Sequence, residues 1–292
     1  MDETRLSEEQ IDSIIDIALA EDTSHNDVTS TALIPPDLQG NASILIKTDG
    51  ILAGLDIAKR VFLRVDPLLK VEVLIQDGTK VQTGDIVGTI SGRVISLLRA
   101  ERVALNFLQR LSGIASQTAQ YVAETRGFAV KVTDTRKTTP GLRLLEKYAV
   151  RMGGGRNHRL NLSDGILIKD NHLAALGALG MSLKDITAKA KQNAPPGLTV
   201  EVEVNTIQEA LDAVDSGADI VMLDNMSPEE MKQVVGLVPS GVKFEASGGI
   251  TLKNIRAAAE TGVDIISIGA LTHSPKALDI SIELDTQSLK FG

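Results

Sequence analysis

Residues 134–172, DTRKTTPGLRLLEKYAVRMGGGRNHRLNLSDGILIKDNH, carry eight Lys/Arg against four Asp/Glu, in a chain whose formal net charge is -8. An acidic protein that gathers cations around three consecutive glycines is suited to holding a polyanion there. Arg offers planar forks for carboxylate and phosphate, and Lys a point charge. Gly lets the backbone come close to a ligand. Arg143, Lys147 and Arg151 also fit a solvated helix face. Arg136, Lys137, His158 and Arg159 fit one less well, because they sit where a strand or loop ends. Glu203 and Asp224 each close a strand-like run further along. Carboxylates facing a phosphate site imply a cation between them, and Mg²⁺ suits oxygen ligands shared with substrate phosphates. Glu201, on the same side of its strand as Glu203, is a rival for that role. Ser247-Gly248-Gly249-Ile250 reads as a strand end that opens a helix, and Ile268-Gly269-Ala270 ends the next strand. Two such loops in succession read as a phosphate cradle of backbone N–H groups and a helix N-terminus.

Other chemistries find less support. The four histidines (His25, His158, His172, His273) form no His-x-His or His-Glu-x-x-His pair, which argues against zinc. His172 reads as a histidine that satisfies backbone groups. Lys169, at a strand end, suggests a Schiff-base lyase acting on a phosphorylated sugar. That reading leaves Arg136, Lys137, Arg159 and the paired carboxylates without a role. DGTKVQTGDIVGTISG resembles the turns of biotinyl or lipoyl carriers but lacks the exposed hairpin lysine, and reads as scaffolding. With no cysteine there are no disulfides, thiol nucleophiles or Cys-ligated metals. Aromatics are 2% of the chain and the pI is near 5.1, which together argue against nucleic acid. The start, MDETRLSEEQ, is unlike a signal or transit peptide, and no apolar run approaches the length of a membrane span. A cytoplasmic protein is expected.

These residues need elements to position them. Ser7 with Gln10 reads as a capping box opening a helix to about Ala20. Residues 40–98 read as short strands separated by Gly/Asp turns. From about Arg99 to Glu124 a helical pattern follows, with Leu105, Leu108, Leu111 and Ile114 along one side. Beyond 125 the rhythm is strand-helix alternation. Strands are expected at 129–134, 165–169, 198–204, 219–224, 242–246 and 264–269, buried on both faces. Ser227-Pro228-Glu229-Glu230 and Thr206 with Glu209 mark helix starts. The fold class is therefore α/β, a C-terminal, incomplete α/β barrel of about six βα units preceded by an N-terminal α+β domain. An open doubly wound sheet is the alternative. The expected division is 1–115 for the first domain, 116–274 for the barrel, and 275–292 returning as a strand to the first domain.

Five segments are similar to the quinolinate phosphoribosyltransferase family, also called carboxylating nicotinate-nucleotide pyrophosphorylase. They are the 134–172 stretch, ERVALNFLQRLSGIAS (101–116), EVEVNTIQEAL (201–211), DIVMLDNMSPEEM (219–231), and ASGGITLKNI with TGVDIISIGALTHS (246–255 and 261–274). The likeness is weaker near the N-terminus, where EDTSHNDVTS carries Asn26 in place of an expected glycine. The resemblance implies that quinolinate and phosphoribosyl pyrophosphate give nicotinate mononucleotide, pyrophosphate and CO₂. It implies that Arg136, His158, Arg159 and Lys169 hold quinolinate, and that Lys137 and Lys169 reach the phosphoribosyl pyrophosphate. Glu203 and Asp224 would serve Mg²⁺ and the ribose hydroxyls. Ser247, Gly248, Gly249, Gly269 and Ala270 would take the 5′-phosphate, with Thr135 and Ser267 among the substrate-binding set. Lys169, Glu203 and Asp224 are the residues implied to be catalytic. It further implies a homodimer in which Arg102 completes the partner's site. The apolar face beside Arg102 is expected to lie in that interface. Relatives associated with molybdenum uptake share the scaffold, so the resemblance leaves their different substrate as an alternative.

Overall fold

The computed structural model describes residues 7–23, 27–238 and 241–291; His25 and Asn26 lie outside them. In chain order the first elements are α1 (Glu8–Thr23), α2 (Val28–Leu33), β1 (Leu38–Ile46), β2 (Gly50–Ile51), α3 (Leu55–Val65) and β3 (Lys70–Val73). Then come β4 (Lys80–Val81), β5 (Ile86–Arg93), α4 (Val94–Glu124), β6 (Lys131–Thr133), α5 (Arg143–Met152), β7 (Ile166–Ile168), α6 (Asp170–Gly177) and α7 (Leu183–Asn193). The rest are β8 (Val200–Val204), α8 (Ile207–Asp215), β9 (Ile220–Asp224), α9 (Pro228–Leu237), β10 (Lys243–Ser247), α10 (Ile255–Glu260), β11 (Ile265–Ser267), α11 (Ala270–His273) and β12 (Ile280–Phe291). The chain divides into two compact units. One comprises 1–119, 138–154 and 271–292, and the other 120–137 and 155–270.

The first unit is built on an antiparallel sheet of order β12-β1-β5-β3. Strand β12 pairs along the whole of β1, from Leu38↔Phe291 to Ile46↔Ile280. The segment leading into it is fixed on α4, where the Leu278 N–H donates to the Gln109 carbonyl at 2.9 Å. Gly113 permits this approach, because a Cβ there would fall on the Lys276 carbonyl. Among residues 40–98 the sequence reading finds only strands, but 55–65 form helix α3. LDIAKRVFLRV buries Leu55, Ala58, Val61 and Phe62 at helical spacing, and Asp77 caps it by accepting the Gly54 and Leu55 N–H groups at 2.7 and 3.1 Å. The cap lies 22 residues away in sequence, too far for a local pattern to reveal it. Asp66, 2% exposed, binds Ser96 Oγ at 2.7 Å, Arg93 Nε at 2.9 Å and the Leu68 N–H at 3.1 Å.

Leu105, Leu108, Leu111 and Ile114 of α4 are each no more than 3% exposed, buried within their own chain. This corrects the expectation that they form an unpartnered apolar face. A helical stripe looks the same in sequence whether its cover is its own domain or a second copy.

The second unit carries a parallel sheet of order β6-β11-β10-β9-β8-β7. The first strand in sequence lies beside the last, and the rest follow in chain order, as in a barrel. A doubly wound sheet would reverse order midway. No strand pairing joins β6 to β7, so the barrel is incomplete. Valines 200, 202 and 204 of β8 are at most 1% exposed and alternate with Glu201 and Glu203. Alternation puts the carboxylates on the opposite face. Ser227 caps α9 as its sequence suggests: its Oγ accepts the Glu230 N–H while the Glu230 carboxylate accepts the Ser227 N–H at 2.9 Å.

Candidate active site

The barrel strands were expected to be apolar on both faces, and their inner positions are not. Alternate residues of neighbouring strands bring Leu167, Lys169, Glu203, Met222, Asp224, Glu245, Ser247 and Ser267 to the wall of a cavity of about 350 Å³. Thr135, Arg136, Lys137, His158 and Arg159 complete the wall from the loops after β6 and before β7. Charged and hydroxyl groups therefore dominate a space at the C-terminal ends of parallel strands. This is the end where such folds place their ligands.

The basic side is held by two acids, Asp134 and Asp164. Asp134, fully buried, accepts the His158 N–H at 2.9 Å and the Asn157 side-chain amide at 2.5 Å. Asp164 accepts the Leu160 N–H at 2.6 Å, and Arg159 donates to the Gly165 carbonyl at 3.1 Å. Burial and the neighbouring Arg136 charge pull Arg159 below the usual guanidinium range. Arg136 Nε is buried and donates to nothing. Two guanidinium groups crowded in this way call for an anion between them.

Lys169 Nζ lies 2.9 Å from Glu203 Oε2, and its backbone N–H donates to His172 Nδ1 at 3.0 Å. His172 is thus occupied with the main chain. A Schiff-base nucleophile wants a desolvated amine; Lys169 instead sits beside the Glu203 carboxylate with 44% of its side chain exposed. Glu203 lines the main cavity, whereas Glu201 lines a smaller one of about 210 Å³. Glu203, Asp224 and Ser247 offer only oxygen donors along that stretch of wall, a set that fits Mg²⁺.

His158 is gripped from beneath. Its Nε2 lies 3.3 Å from Glu201 Oε2 and 3.3 Å from Glu245 Oε2. Burial alone would lower its pKa, but the two carboxylates at its Nε2 edge, Glu201 and Glu245, push it up to about 10. Burial and the nearby Glu245 raise Glu201, against the opposing pull of His158. Glu245 goes unnoticed in the sequence reading. Its signal is the alternation in KFEAS, which puts Glu245 and Ser247 on one face and the buried Phe244 and Ala246 on the other.

The glycine loops follow β10 and β11, which pair at Glu245↔Ile265 and Ala246↔Ile266. Gly248 and Gly249 have φ of +84° and +61°, which suits glycine. A Cβ on Gly248 would collide with the side chain of Asn225, whose amide donates to Asp224 Oδ2 at 2.7 Å. Asn225 is itself left-handed, φ 55°, and its N–H donates to the Ser247 carbonyl at 2.9 Å. One correction applies here. Gly249 is not followed directly by a helix: residues 252–254 form a turn and α10 starts at Ile255. Thr251 and Asn254 bond to each other first, with the Thr251 N–H donating to Asn254 Oδ1 at 2.7 Å. The Gly248 and Gly249 amides thus lie in a loop rather than at a helix N-terminus. Gly248, Gly249 and Gly269 belong to these loops and Ala270 opens α11, while Ser247 and Ser267 line the cavity itself. Arg102 is exposed on α4, in the other unit.

Family models for the quinolinate phosphoribosyl transferase C-terminal and N-terminal domains match residues 114–283 and 27–112. The chain belongs to the quinolinate phosphoribosyltransferase family. It is 42% identical over 275 residues to the probable nicotinate-nucleotide pyrophosphorylase [carboxylating] of Bacillus subtilis, covering 94% of this chain and 93% of that one. The chloroplastic nicotinate-nucleotide pyrophosphorylase [carboxylating] of Arabidopsis thaliana is 44% identical, over 94% of this chain and 83% of the relative. The crystal structure of NadC from Streptococcus pyogenes superposes with a TM-score of 0.91 at 45% identity, covering 96% of this chain and 98% of that one. Quinolinate phosphoribosyltransferase membership accounts for the concentration of cations and oxygen donors in one barrel mouth. Among the described residues no helix is long and apolar enough to cross a membrane.

Proposed function

We propose that the chain joins quinolinate to phosphoribosyl pyrophosphate and releases CO₂ and pyrophosphate, forming nicotinate mononucleotide for NAD biosynthesis. The observation that carries this reading is the pairing of crowded guanidinium groups with oxygen-rich strand ends in one cavity. A pyridine dicarboxylate needs several cationic forks, which Arg136, Arg159, Lys169 and His158 provide. A phosphoribosyl pyrophosphate needs a phosphate cradle and cations, for which Ser247, the Gly248-Gly249 loop, Gly269-Ala270 and Lys137 are suited. Glu203 and Asp224 would hold Mg²⁺, which when bound neutralises charge on the leaving pyrophosphate.

The pyridine nitrogen donates its lone pair to the anomeric carbon as the bond from that carbon to pyrophosphate oxygen breaks. Charge builds on the ribose ring, as in glycosidic cleavage, and the acidic wall faces it. The alkylated ring is then cationic and accepts the electron pair left when the adjacent carboxylate departs as CO₂; a proton takes its place. No protein nucleophile is needed, consistent with the absence of cysteine. Positioning by buried clamps supplies the main advantage.

A homodimer completes the proposal, with Arg102 of one copy reaching the site of a second and the enzyme residing in the cytoplasm. Supporting it, Arg102 is exposed one helical turn from Leu98 (37% exposed), on the helix whose Arg99 donates to Thr31 of α2 at 3.1 Å. Purified protein with quinolinate, phosphoribosyl pyrophosphate and Mg²⁺ should release CO₂ and nicotinate mononucleotide in equal amounts. Nicotinate should be a poor substitute, since losing one carboxylate leaves buried cations unpaired. Equal use of both acids would refute the assignment of Arg136 and Arg159.

A further inference from the structure

Two carboxylates beneath His158 have no task in the reaction as derived. Glu201 comes from β8 and Glu245 from β10, on either side of β9. Glu245 is fully buried and Glu201 is 4% exposed. Burying ionised carboxylates is costly unless a cation and hydrogen bonds compensate. Yet Glu201 Oε1 and both Glu245 oxygens lack a hydrogen-bond partner. What they meet is the Nε2 edge of one imidazole, 3.3 Å from each. The same ring lines the cationic cavity on its other side.

We propose that Glu245, with Glu201, is a positioning residue: the pair fixes the His158 ring in the cavity wall and keeps it a cation for a carboxylate of quinolinate. This rests on the functional reading above. Two carboxylate oxygens 3.3 Å from one ring edge require Nε2 to carry a proton, so the tautomer is set. The second proton is then decided by charge. At the ring's Nε2 edge stand Glu201 from β8 and Glu245 from β10; Asp134 accepts the residue's backbone N–H, and the next residue, Arg159, feels the charges of Arg136, Glu201 and Asp164. The two nearest of these groups are carboxylates, and they outweigh the burial that would otherwise discharge the ring. The device gives a flat cation whose edge cannot swing. A third lysine or arginine would be longer and carry more freedom to lose.

The test is a pH titration of imidazole ¹⁵N shifts in the full chain, with His158 assigned from the spectrum of His158→Gln. In the wild type His158 should stay doubly protonated well above pH 7, because two carboxylates stand 3.3 Å from its Nε2. In Glu245→Gln the midpoint should fall by roughly 1–3 pH units, the effect of removing one close opposite charge. The KM for quinolinate should then climb with pH from that lower midpoint, by more than kcat falls, while the KM for phosphoribosyl pyrophosphate holds. Glu201→Gln serves as the second variant if Glu245→Gln does not fold. A wild-type His158 that is neutral at pH 7, or midpoints unmoved in the variants, would overturn the proposal. So would one equivalent of a divalent metal lost together with these side chains, since the three ligand atoms also lie within 4.8 Å of one another. The titration needs no turnover. If it succeeds while the wild type makes no nicotinate mononucleotide, the functional reading fails and the clamp stands.

Discussion

Alanine at Gly248 should be far worse than alanine at Gly249, although both glycines are left-handed and adjacent. At φ +61° Gly249 has only Asn225 Oδ1 near a notional Cβ, at 3.9 Å. Its substitution costs the strain of a left-handed L-residue, about 1–2 kcal/mol. At Gly248 the same strain applies, at φ +84°, and the new methyl also overlaps the Asn225 side chain, with the amide nitrogen only 2.8 Å away. Asn225 cannot simply rotate aside. Its amide is bonded to Asp224 and its N–H to the Ser247 carbonyl, so the collision passes to both strand ends. Overpacking of this kind typically adds ~1–3 kcal/mol. Both variants gain the same offset from a less flexible unfolded chain, so the difference between them isolates the collision. Urea denaturation should place Gly248→Ala below Gly249→Ala by about 1–3 kcal/mol. Initial rates should show a larger rise in the KM for phosphoribosyl pyrophosphate in Gly248→Ala, because Asp224 and Ser247 move with Asn225. Equal stabilities and equal KM values would show that Asn225 does not press on this loop.

Three further outcomes are expected. Glu203→Ala and Asp224→Ala should each raise the Mg²⁺ concentration needed for half-maximal rate; no change in either would leave the metal to the substrate alone. Mixing Arg102→Ala with Lys169→Ala subunits, each nearly inactive, should restore roughly a quarter of wild-type activity, since half the random dimers carry one intact site of two; no recovery despite proven exchange would confine Arg102 to its own chain. Asp66→Asn should lower stability by about 1–3 kcal/mol at neutral pH by weakening a buried hydrogen-bond cluster. The bonds from Ser96, Leu68 and Arg93 outweigh burial and hold Asp66 below its ordinary 3.8, so its contribution exists above that value and is lost as pH falls through the native one. The gap between wild type and variant, followed by urea denaturation, should therefore close in acid; a gap that persists would mean that Asp66 acts by packing.

The barrel strands are legible in sequence because each is a short β-branched run between turn residues, and β9 matches the expected end at Asp224. The capping box at Ser227 is legible because its partner is three residues away. What stays hidden depends on residues far apart. Asp77 capping α3 and Glu245 reaching His158 join positions that no local period connects. Glu201 and Glu203 share one face of β8, and alternation alone could not divide their roles. The fold does so by depth, since Glu203 ends beside Lys169 while Glu201 sits lower, under His158. The apolar stripe of α4 misleads for a related reason: a buried face carries no mark of whose surface covers it.

The pairing of β12 with β1 has a consequence for synthesis. Strand β1 is translated more than two hundred residues before β12, and every barrel strand is made in between. Until β12 emerges, β1 can bond only to β5 and keeps one edge open, a template for any passing strand. The barrel can gather its own strands earlier, since the last of them, β11, ends at Ser267, before β12 begins at Ile280. On the ribosome the order of completion is thus inverted. The unit that begins first is the last to be sealed, and a ribosome that stalls before residue 280 leaves a chain with an unfinished sheet exposed to aggregation.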